Sequence, residues 1–308
     1  MTDTPVIGLD WGTSSLRAYL LGPDGVRDRR ESAQGLRALP AGGFAAAFAE
    51  AVAGWPTDAP VLMAGMVGAR TGWREAPYVE IAAGGAGLDA LAAGLVDMSD
   101  LAGRPAKLVP GVSDPAGPDV MRGEETQLVG AAAQAGDGMV VLPGSHSKWA
   151  TLRDGRIAGF RTAMTGELFA ALSRATLRAD TIEPPADAAE DAAGFDAGLA
   201  AARKLAAPGD LLTAFFAIRA QVLFGALPAG RAGGYLSGLL IGAEIAANLP
   251  ADPASAPPVR IVAAPGLAAR YARALSAFGA APRILPTDLA ADGLAALAAA
   301  ARLQGAPA

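Results

Sequence analysis

A polar loop between two apolar runs near the start of the chain constrains the fold most. The run Val6–Leu9 is typical of a buried strand, and it leads into Asp10-Trp11-Gly12-Thr13-Ser14-Ser15-Leu16-Arg17. A second β-like run, 16–21, ends at the turn sequence Gly22-Pro23-Asp24-Gly25. A loop of this kind can wrap a phosphate with backbone N–H groups, and the acid at its start can hold Mg²⁺ through water. Ordinary turn chemistry is the alternative interpretation.

Length and composition limit the classes of protein that are possible. The 308 residues suit two domains of about 150 residues each. The absence of cysteine excludes a disulfide framework and thiolate metal sites. No apolar run approaches the roughly 20 residues of a spanning helix, and the N-terminus lacks a signal core. These absences predict a cytoplasmic protein without a membrane partner. The net charge of −5 argues against a nucleic-acid partner, because no basic run is present to neutralise phosphates.

A second apolar strand followed by a small-residue loop begins near residue 139. The run Met139–Leu142 leads into Pro143-Gly144-Ser145-His146-Ser147-Lys148, which contains the only histidine of the chain. Two further runs, 149–152 and 157–161, predict a β-hairpin after it. The chain thus contains two similar units, a weak internal duplication, and two such loops can face each other across a cleft. Whether His146 is structural or functional stays open.

Two segments between these loops combine glycine with charged side chains. A strand at 61–64 runs into a glycine-rich segment that contains Arg70 and Trp73, and loops of this kind after a strand often carry function. Further on, Glu124 and Glu125 precede a small-residue helix predicted at 128–135, where the helix dipole favours ionised carboxylates. First-turn acids of a surface helix are the alternative.

The remaining pattern predicts alternating helices and strands, which indicates an α/β architecture. Helices are expected at 41–53, at 211–223, at 236–249, from 265 to about 278, and at the C-terminus up to 303. Strands are expected at 260–264 and 282–285. A helix should open at 164–169 with Thr165 as its N-cap. Residues 178–194 are expected to form a loop with short helical pieces.

Taken together, five ordered motifs resemble the 2-dehydro-3-deoxygalactonokinase family of the sugar-kinase, Hsp70 and actin superfamily. They are Asp10–Arg17, Gly65–Trp73, Met121–Gln127, Leu142–Trp149 and Met164–Phe169. The resemblance implies an α/β fold of two ribonuclease-H-like (actin/hexokinase-type) domains with a nucleotide cleft between them. The expected domains are 1–135, onto which the terminal helix 288–308 can pack back, and 136–287. The implied reaction is ATP-dependent phosphorylation of the 6-hydroxyl of 2-dehydro-3-deoxy-D-galactonate.

The resemblance also implies roles for individual residues. The first phosphate loop would comprise Gly12, Thr13, Ser14 and Ser15 with Arg17, and the second Gly144, Ser145, His146, Ser147 and Lys148. Asp10 would hold Mg²⁺, Lys148 and Arg17 would offset developing charge, and Pro265 and Gly266 would belong to the adenosine-contacting loop. The catalytic base is either Glu124 or Glu125, because two alignments of the motif compete, with a slight preference for Glu125.

A sugar-acid substrate also needs a partner for its carboxylate, and arginine suits that planar group. Arg70 is the first candidate and Arg122 the second, with Trp73 as a wall of the pocket and Glu167 as a further substrate-binding residue.

A kinase for the gluconate epimer, a non-catalytic nucleotide sensor and a phosphatase or polyphosphate hydrolase remain alternatives. The helices between 211 and 249 could supply the face of a homodimer.

Overall fold

The computed structural model describes residues 5–82, 84–176, 181–207, 209–286 and 288–303, and the chain forms two compact units. Unit 1 comprises residues 1–137, 150–161 and 286–308, and unit 2 comprises 138–149 and 162–285. The expected boundaries at 135/136 and 287/288 lie within two residues of two of these divisions. The assignment of 150–161 to unit 1 was not expected. Residues 1–4 and 304–308 of the expected first domain lie outside the described residues.

Unit 1 is built on a six-stranded sheet with the strand order β3-β2-β1-β4-β7-β6, beside a small sheet with the order β5-β8-β9. Its strands are β1 (Val6–Trp11), β2 (Leu16–Gly22), β3 (Gly25–Ser32), β4 (Val61–Gly65), β5 (Tyr78–Glu80), β6 (Val96–Asp97), β7 (Ala106–Leu108), β8 (Gly111–Asp114) and β9 (Asp119–Met121). Its helices are α1 (Phe44–Ala51), α2 (Leu88–Ala93), α3 (Ser99–Ala102), α4 (Glu124–Ala135) and, from the end of the chain, α10 (Leu289–Ala300), with a 3₁₀ turn at Met66–Gly68.

Unit 2 contains most of a five-stranded sheet with the strand order β12-β11-β10-β13-β14. The strands are β10 (Gly138–Leu142), β11 (Ser147–Arg153), β12 (Arg156–Ala163), β13 (Val259–Ile261) and β14 (Pro282–Ile284). The helices are α5 (Thr165–Ala171), α6 (Ala188–Ala202), α7 (Asp210–Leu223), α8 (Ala229–Asn248) and α9 (Pro265–Ala277), with a π-helical turn at Leu172–Thr176. No helix of the described ranges is long and apolar enough to cross a membrane.

The two large sheets confirm the internal duplication. In each, three consecutive strands lie side by side, and two parallel strands continue the sheet beyond the first of them. In unit 1, β1 is antiparallel to β2 and parallel to β4, which is parallel to β7. In unit 2, β10 is parallel to β13 and β13 to β14. The loops that follow β1 and β10 therefore occupy equivalent positions in the two sheets.

Small residues bring the helices close together in both units. In unit 1, α10 packs on α4, where a Cβ added at Gly293 would lie 1.8 Å from the carbonyl oxygen of Thr126. In unit 2, α6 packs on α8, where a Cβ added at Gly198 would lie 2.1 Å from the carbonyl oxygen of Tyr235. The alanine and glycine content of the chain therefore serves backbone-to-backbone helix packing.

Several predicted elements differ from the structure. Thr165 as an N-cap is wrong, because Met164 occupies that position and the Thr165 hydroxyl bonds to a buried carboxylate instead. The segment 178–194 was expected to be a loop with short helical pieces, but its second half belongs to the 15-residue helix α6, which begins at Ala188 and is capped by the Asp187 side chain. Residues 178–180 of that segment lie outside the described ranges. Local capping at Asp187 outweighed the weak hydrophobic periodicity.

Candidate active site

Three backbone segments of unit 1 meet at the end of β1. Gly65, the last residue of β4, has a φ of +95°, and a Cβ there would lie 2.7 Å from the carbonyl oxygen of Trp11. Gly123, just before α4, has a φ of +103°, and its Cβ would lie 3.2 Å from the Cα of Gly65. Only glycine tolerates both the left-handed conformation and this proximity. The contact brings the start of α4 towards Asp10, the penultimate residue of β1.

Asp10 is a largely buried carboxylate with one adjacent cation. Its pKa is raised to about 6, mainly by burial and also by the negative charges of Glu124 and Glu31, while the adjacent Arg17 opposes the shift. The Nη1 of Arg17 lies 3.5 Å from the Oδ2 of Asp10, and the Nε of Arg17 bonds to Glu31 at 3.3 Å. β1 and β2 pair Asp10 directly with Arg17, which explains their proximity. The sequence predicted Asp10 and Arg17, but nothing in it pointed to Glu31.

The loop after β1 is held from behind by the chain at 35–37. The carbonyl oxygens of Gly12 and Thr13 accept hydrogen bonds from the amides of Leu36 and Arg37, at 3.0 and 3.1 Å. A Cβ on Gly35 would lie 2.3 Å from the carbonyl carbon of Ser14, so this approach requires glycine. The loop is thus fixed while the Ser14 side chain stays exposed and Thr13 and Ser15 stay partly exposed.

The two adjacent glutamates of α4 differ in their access to solvent. Glu125 is fully buried, and it accepts hydrogen bonds from the Gly123 amide at 2.7 Å and the Thr126 hydroxyl at 3.3 Å. Burial, aided by the charge of Glu124, raises the pKa of Glu125 to about 8. Glu124 is partly exposed, accepts the Arg122 amide at 3.1 Å and acts electrostatically on Asp10. Only Glu124 therefore has a carboxylate that a solute can reach in this conformation.

Arg122 is a buried guanidinium with unused donors. Its side chain is 9% exposed, its Nη2 donates to the carbonyl oxygen of Ala76 at 2.8 Å, and its Cζ lies 4.3 Å from the centre of the Tyr78 ring. Its Nε and Nη1 have no hydrogen-bond partner among the described residues. A buried guanidinium whose N–H groups have no acceptor is unfavourable unless an anion accepts their hydrogen bonds.

The other two residues expected to bind substrate in this unit lie in different surroundings. The Arg70 side chain is 88% exposed, and its closest acidic partner is Glu75, at 3.6 Å. Trp73 belongs to an aromatic core cluster, where its ring stacks on Phe44 with centroids 6.2 Å apart and also contacts Trp11. The structure thus brings Glu124 within electrostatic reach of Asp10 and buries Arg122 just before α4, but it places Arg70 at the surface and Trp73 against the core.

The loop after β10 in unit 2 is anchored by the start of α5. The Glu167 amide donates to the carbonyl oxygen of Ser145 at 3.0 Å, and a Cβ on Gly166 would lie 2.4 Å from the carbonyl oxygen of Gly144. The His146 Nε2 and a Glu167 carboxylate oxygen form a hydrogen bond, with each side chain about half exposed. Glu167 is therefore part of the loop cluster of unit 2.

The last two residues of the predicted phosphate loop point into the protein. Ser147 is buried and its Oγ lies 3.0 Å from the Tyr271 hydroxyl. Lys148 is 5% exposed, and its Nζ donates to the Thr162 hydroxyl at 2.8 Å. Gly144, Ser145 and His146 are the exposed residues of the loop.

A buried carboxylate beneath this loop was not predicted. Glu244, on α8, accepts hydrogen bonds from Trp149 Nε1 at 2.6 Å, from the Tyr271 hydroxyl at 2.8 Å and from the Thr165 hydroxyl. Burial raises its pKa, and these donors oppose the shift. The network ties β11, α5, α8 and α9 together behind the loop. The only sequence signal was a single acid within the apolar run 236–247.

Unit 2 also contains a cavity of about 850 Å³ that opens beside the exposed loop residues. Its wall includes Gly144 and Ser145 of the loop, Gly233 and Ser237 of α8, and Leu267 of α9. Pro265 and Gly266 are exposed at the start of α9, next to Leu267. Across the described part of the chain, no group of three or more His, Cys, Asp or Glu side chains could hold a metal ion.

Comparison with known proteins gives a consistent assignment. The model of the 2-keto-3-deoxy-galactonokinase family matches residues 10–297. A probable 2-dehydro-3-deoxygalactonokinase of Rhizobium meliloti is 39% identical over 96% of this chain and 95% of its own length. The 2-dehydro-3-deoxygalactonokinase of Escherichia coli is 37% identical over 89% of this chain and 90% of its own length.

A solved structure supports the same assignment. A crystal structure of a Sinorhizobium meliloti protein, named for the same activity, superposes with a TM-score of 0.80 at 38% identity and covers 98% of both chains. The expected fold of two ribonuclease-H-like domains is therefore confirmed, as are the predicted family and its phosphotransferase class. The chain belongs to the 2-keto-3-deoxy-galactonokinase family.

Proposed function

We propose that this protein transfers the γ-phosphate of ATP to the 6-hydroxyl of 2-dehydro-3-deoxy-D-galactonate. The observation that carries the proposal, in a member of this kinase family, is the group formed by Asp10 at the end of β1, Glu124 whose charge acts on it, and the buried Arg122 just before α4. It supplies a carboxylate for a metal ion, an accessible base and a buried guanidinium. These are the groups that phosphorylation of a sugar acid requires.

The ATP-binding residues are assigned to unit 2. The cavity of about 850 Å³ is large enough for a nucleoside and ends at Gly144 and Ser145, whose backbone is held by α5. The backbone of Gly144–His146 contacts the phosphates, whereas Ser147 and Lys148 act from behind as supports, because both side chains are buried. Pro265 and Gly266 border the nucleoside at the start of α9.

The surroundings of Asp10 fit a magnesium ion. Mg²⁺ is commonly held by one or two carboxylates together with water and substrate phosphates, so a single aspartate suffices. A divalent cation would also favour the ionised form of Asp10, which burial disfavours in the free protein. The hydroxyls of Thr13, Ser14 and Ser15 are available to phosphate oxygens beside it. When bound, Mg²⁺ neutralises charge on the transferring phosphoryl group.

Glu124 is the proposed proton acceptor. The sugar hydroxyl oxygen forms a bond to the γ-phosphorus as the bond from that phosphorus to the β,γ-bridging oxygen breaks. The hydroxyl proton passes to the Glu124 carboxylate and ADP leaves. Glu125, the slightly preferred candidate from sequence, is buried and with a pKa of about 8 is mostly protonated at neutral pH. It instead positions the start of α4 through the Gly123 amide.

Arg122 is the proposed partner of the substrate carboxylate. A carboxylate can accept hydrogen bonds from its unused donors, Nε and Nη1. These bonds would offset the desolvation cost of its buried charge. Arg70 is the weaker candidate, because an arginine that is 88% exposed is already solvated and gains little from an ion pair. Recognition by Arg122 selects sugar acids over neutral sugars.

The function is tested by ADP release from ATP and Mg²⁺ with three acceptors. These are 2-dehydro-3-deoxygalactonate, its gluconate epimer and the corresponding neutral 3-deoxy sugar, with a control lacking sugar. The proposal predicts the highest rate with the galactonate compound and little with the neutral sugar. Equal rates with both epimers would contradict the substrate assignment but keep the kinase. Phosphate release without any sugar would indicate a hydrolase.

A further inference from the structure

The helix α7 in unit 2 carries apolar side chains on two faces that lie about 100° apart around its axis. One face consists of Leu211, Phe215, Ile218 and Val222, which pack into the core that α7 shares with α8. The spacing of four, three and four residues is the heptad spacing of a helix with one packed seam. A second set with the same spacing begins one residue later.

The second set forms an exposed seam, defined by Leu212, Phe216, Arg219 and Leu223. These positions lie within about 60° of the helix circumference and extend for about 17 Å. The apolar members are 73%, 70% and 76% exposed, and Phe224 at the end of the helix is 82% exposed. No other helix of the described residues shows such a series of exposed large apolar side chains.

We propose that the exposed seam of α7 pairs with the same seam of a second copy of this chain to form a two-fold symmetric dimer. In antiparallel pairing about a point between residues 217 and 218, Leu212 of one copy faces Leu223 of the other, and Phe216 faces Arg219. The seam is therefore complementary to itself, as an isologous interface requires. A guanidinium beside an aromatic ring is favourable, and a single polar seam residue fixes the register.

The amount of apolar surface favours a second copy as the occupant. The four exposed side chains present on the order of 500 Å² in each copy, which is within the range of patches that mark interaction sites. Two copies together bury about 1,000 Å², the lower limit for a specific interface. The expected dimer is therefore weak and depends on protein concentration.

Sedimentation velocity of the full chain between about 1 and 100 μM tests the dimer. The wild type should shift from monomer to dimer in this range, and Phe216→Glu should raise the dissociation constant by at least about 100-fold. Ile284→Glu is the matched control, because Ile284 is 53% exposed on β14 outside the seam. It should behave as the wild type. A monomeric wild type, or equal effects of the two substitutions, would overturn the proposal.

Crosslinking tests the register and does not depend on a charged substitution. Because the chain has no cysteine, Leu212→Cys and Leu223→Cys each introduce a unique thiol. With a short bismaleimide, a mixture of the two variants should give a covalent dimer with one copy of each, whereas each variant alone should give little. Efficient crosslinking of Leu212→Cys to itself would contradict antiparallel pairing. Both variants should retain phosphoryl transfer, because α7 contributes no residue to the nucleotide cavity.

Discussion

Adjacent glutamates of α4 allow the proposed base to be tested with a matched pair of substitutions. Glu124→Gln removes the carboxylate that a substrate hydroxyl can reach and should lower kcat by about 10²–10⁴-fold, which corresponds to about 2.7–5.5 kcal/mol. Glu125→Gln retains an oxygen that can accept the Gly123 amide and leaves Glu124 in place. Because Glu125 is fully buried, its loss should cost less than about tenfold.

The assay is initial-rate ADP release at saturating ATP, Mg²⁺ and sugar acid, with both substrates' affinities measured by calorimetry. The account predicts near-normal affinities for both variants, so that the loss in Glu124→Gln lies in kcat. A larger loss in Glu125→Gln than in Glu124→Gln would refute the assignment of the base. Equal and complete losses with intact folding would show that neither glutamate acts alone.

Four further predictions follow from charge, burial and packing. Arg122→Met should raise the KM for the sugar acid at least about tenfold, whereas Arg70→Met should change it less than about twofold; the reverse order would exchange their roles. As Asp10 titrates with a pKa of about 6, kcat/KM at low Mg²⁺ should fall about tenfold per pH unit below that value, and more Mg²⁺ should lower the midpoint. An acidic fall in kcat/KM whose midpoint does not change with Mg²⁺ concentration would argue against a metal at Asp10. The folded-state pKa of Glu125, about 8, exceeds its unfolded value of 4.5, so its contribution to stability is lost as pH rises between them, by about 1.4 kcal/mol per unit. Urea unfolding at pH 5 and pH 9 should therefore show a smaller decline for Glu125→Gln than for the wild type, and identical declines would contradict the buried protonated state. Gly166→Ala should raise the KM for ATP, because the new Cβ would lie 2.4 Å from the carbonyl oxygen of Gly144; an unchanged KM would remove that loop from the ATP site.

The fold was predictable where the sequence pattern is local. Apolar runs at 6–9, 61–64 and 139–142 are fully formed strands because each lies in the centre of a sheet and is buried on both faces. The small sheet β5-β8-β9 was missed because its strands are three or four residues long and carry no clear alternation. The start of α6 was missed because its glycines and alanines give little hydrophobic periodicity, although they pack closely on α8.

The motifs of the candidate site were predictable from the sequence, but which of their side chains are buried and which are exposed was not. Sequence named both glutamates and both arginines, yet only burial separates Glu124 from Glu125 and Arg122 from Arg70. A helical register shift of one residue turns a side chain by about 100°, so adjacent acids cannot be ranked without the packing around them. The role of Gly35 against the first loop depends on a backbone contact made across 20 residues, which leaves no local signal.

The central claim is phosphoryl transfer from ATP to a sugar acid, and following the γ-phosphate itself tests it most directly. With [γ-³²P]ATP, Mg²⁺ and 2-dehydro-3-deoxygalactonate, the account predicts one labelled sugar-acid phosphate for each ADP, with the label on the 6-oxygen. Label released as inorganic phosphate at the same rate with and without the sugar acid would contradict it.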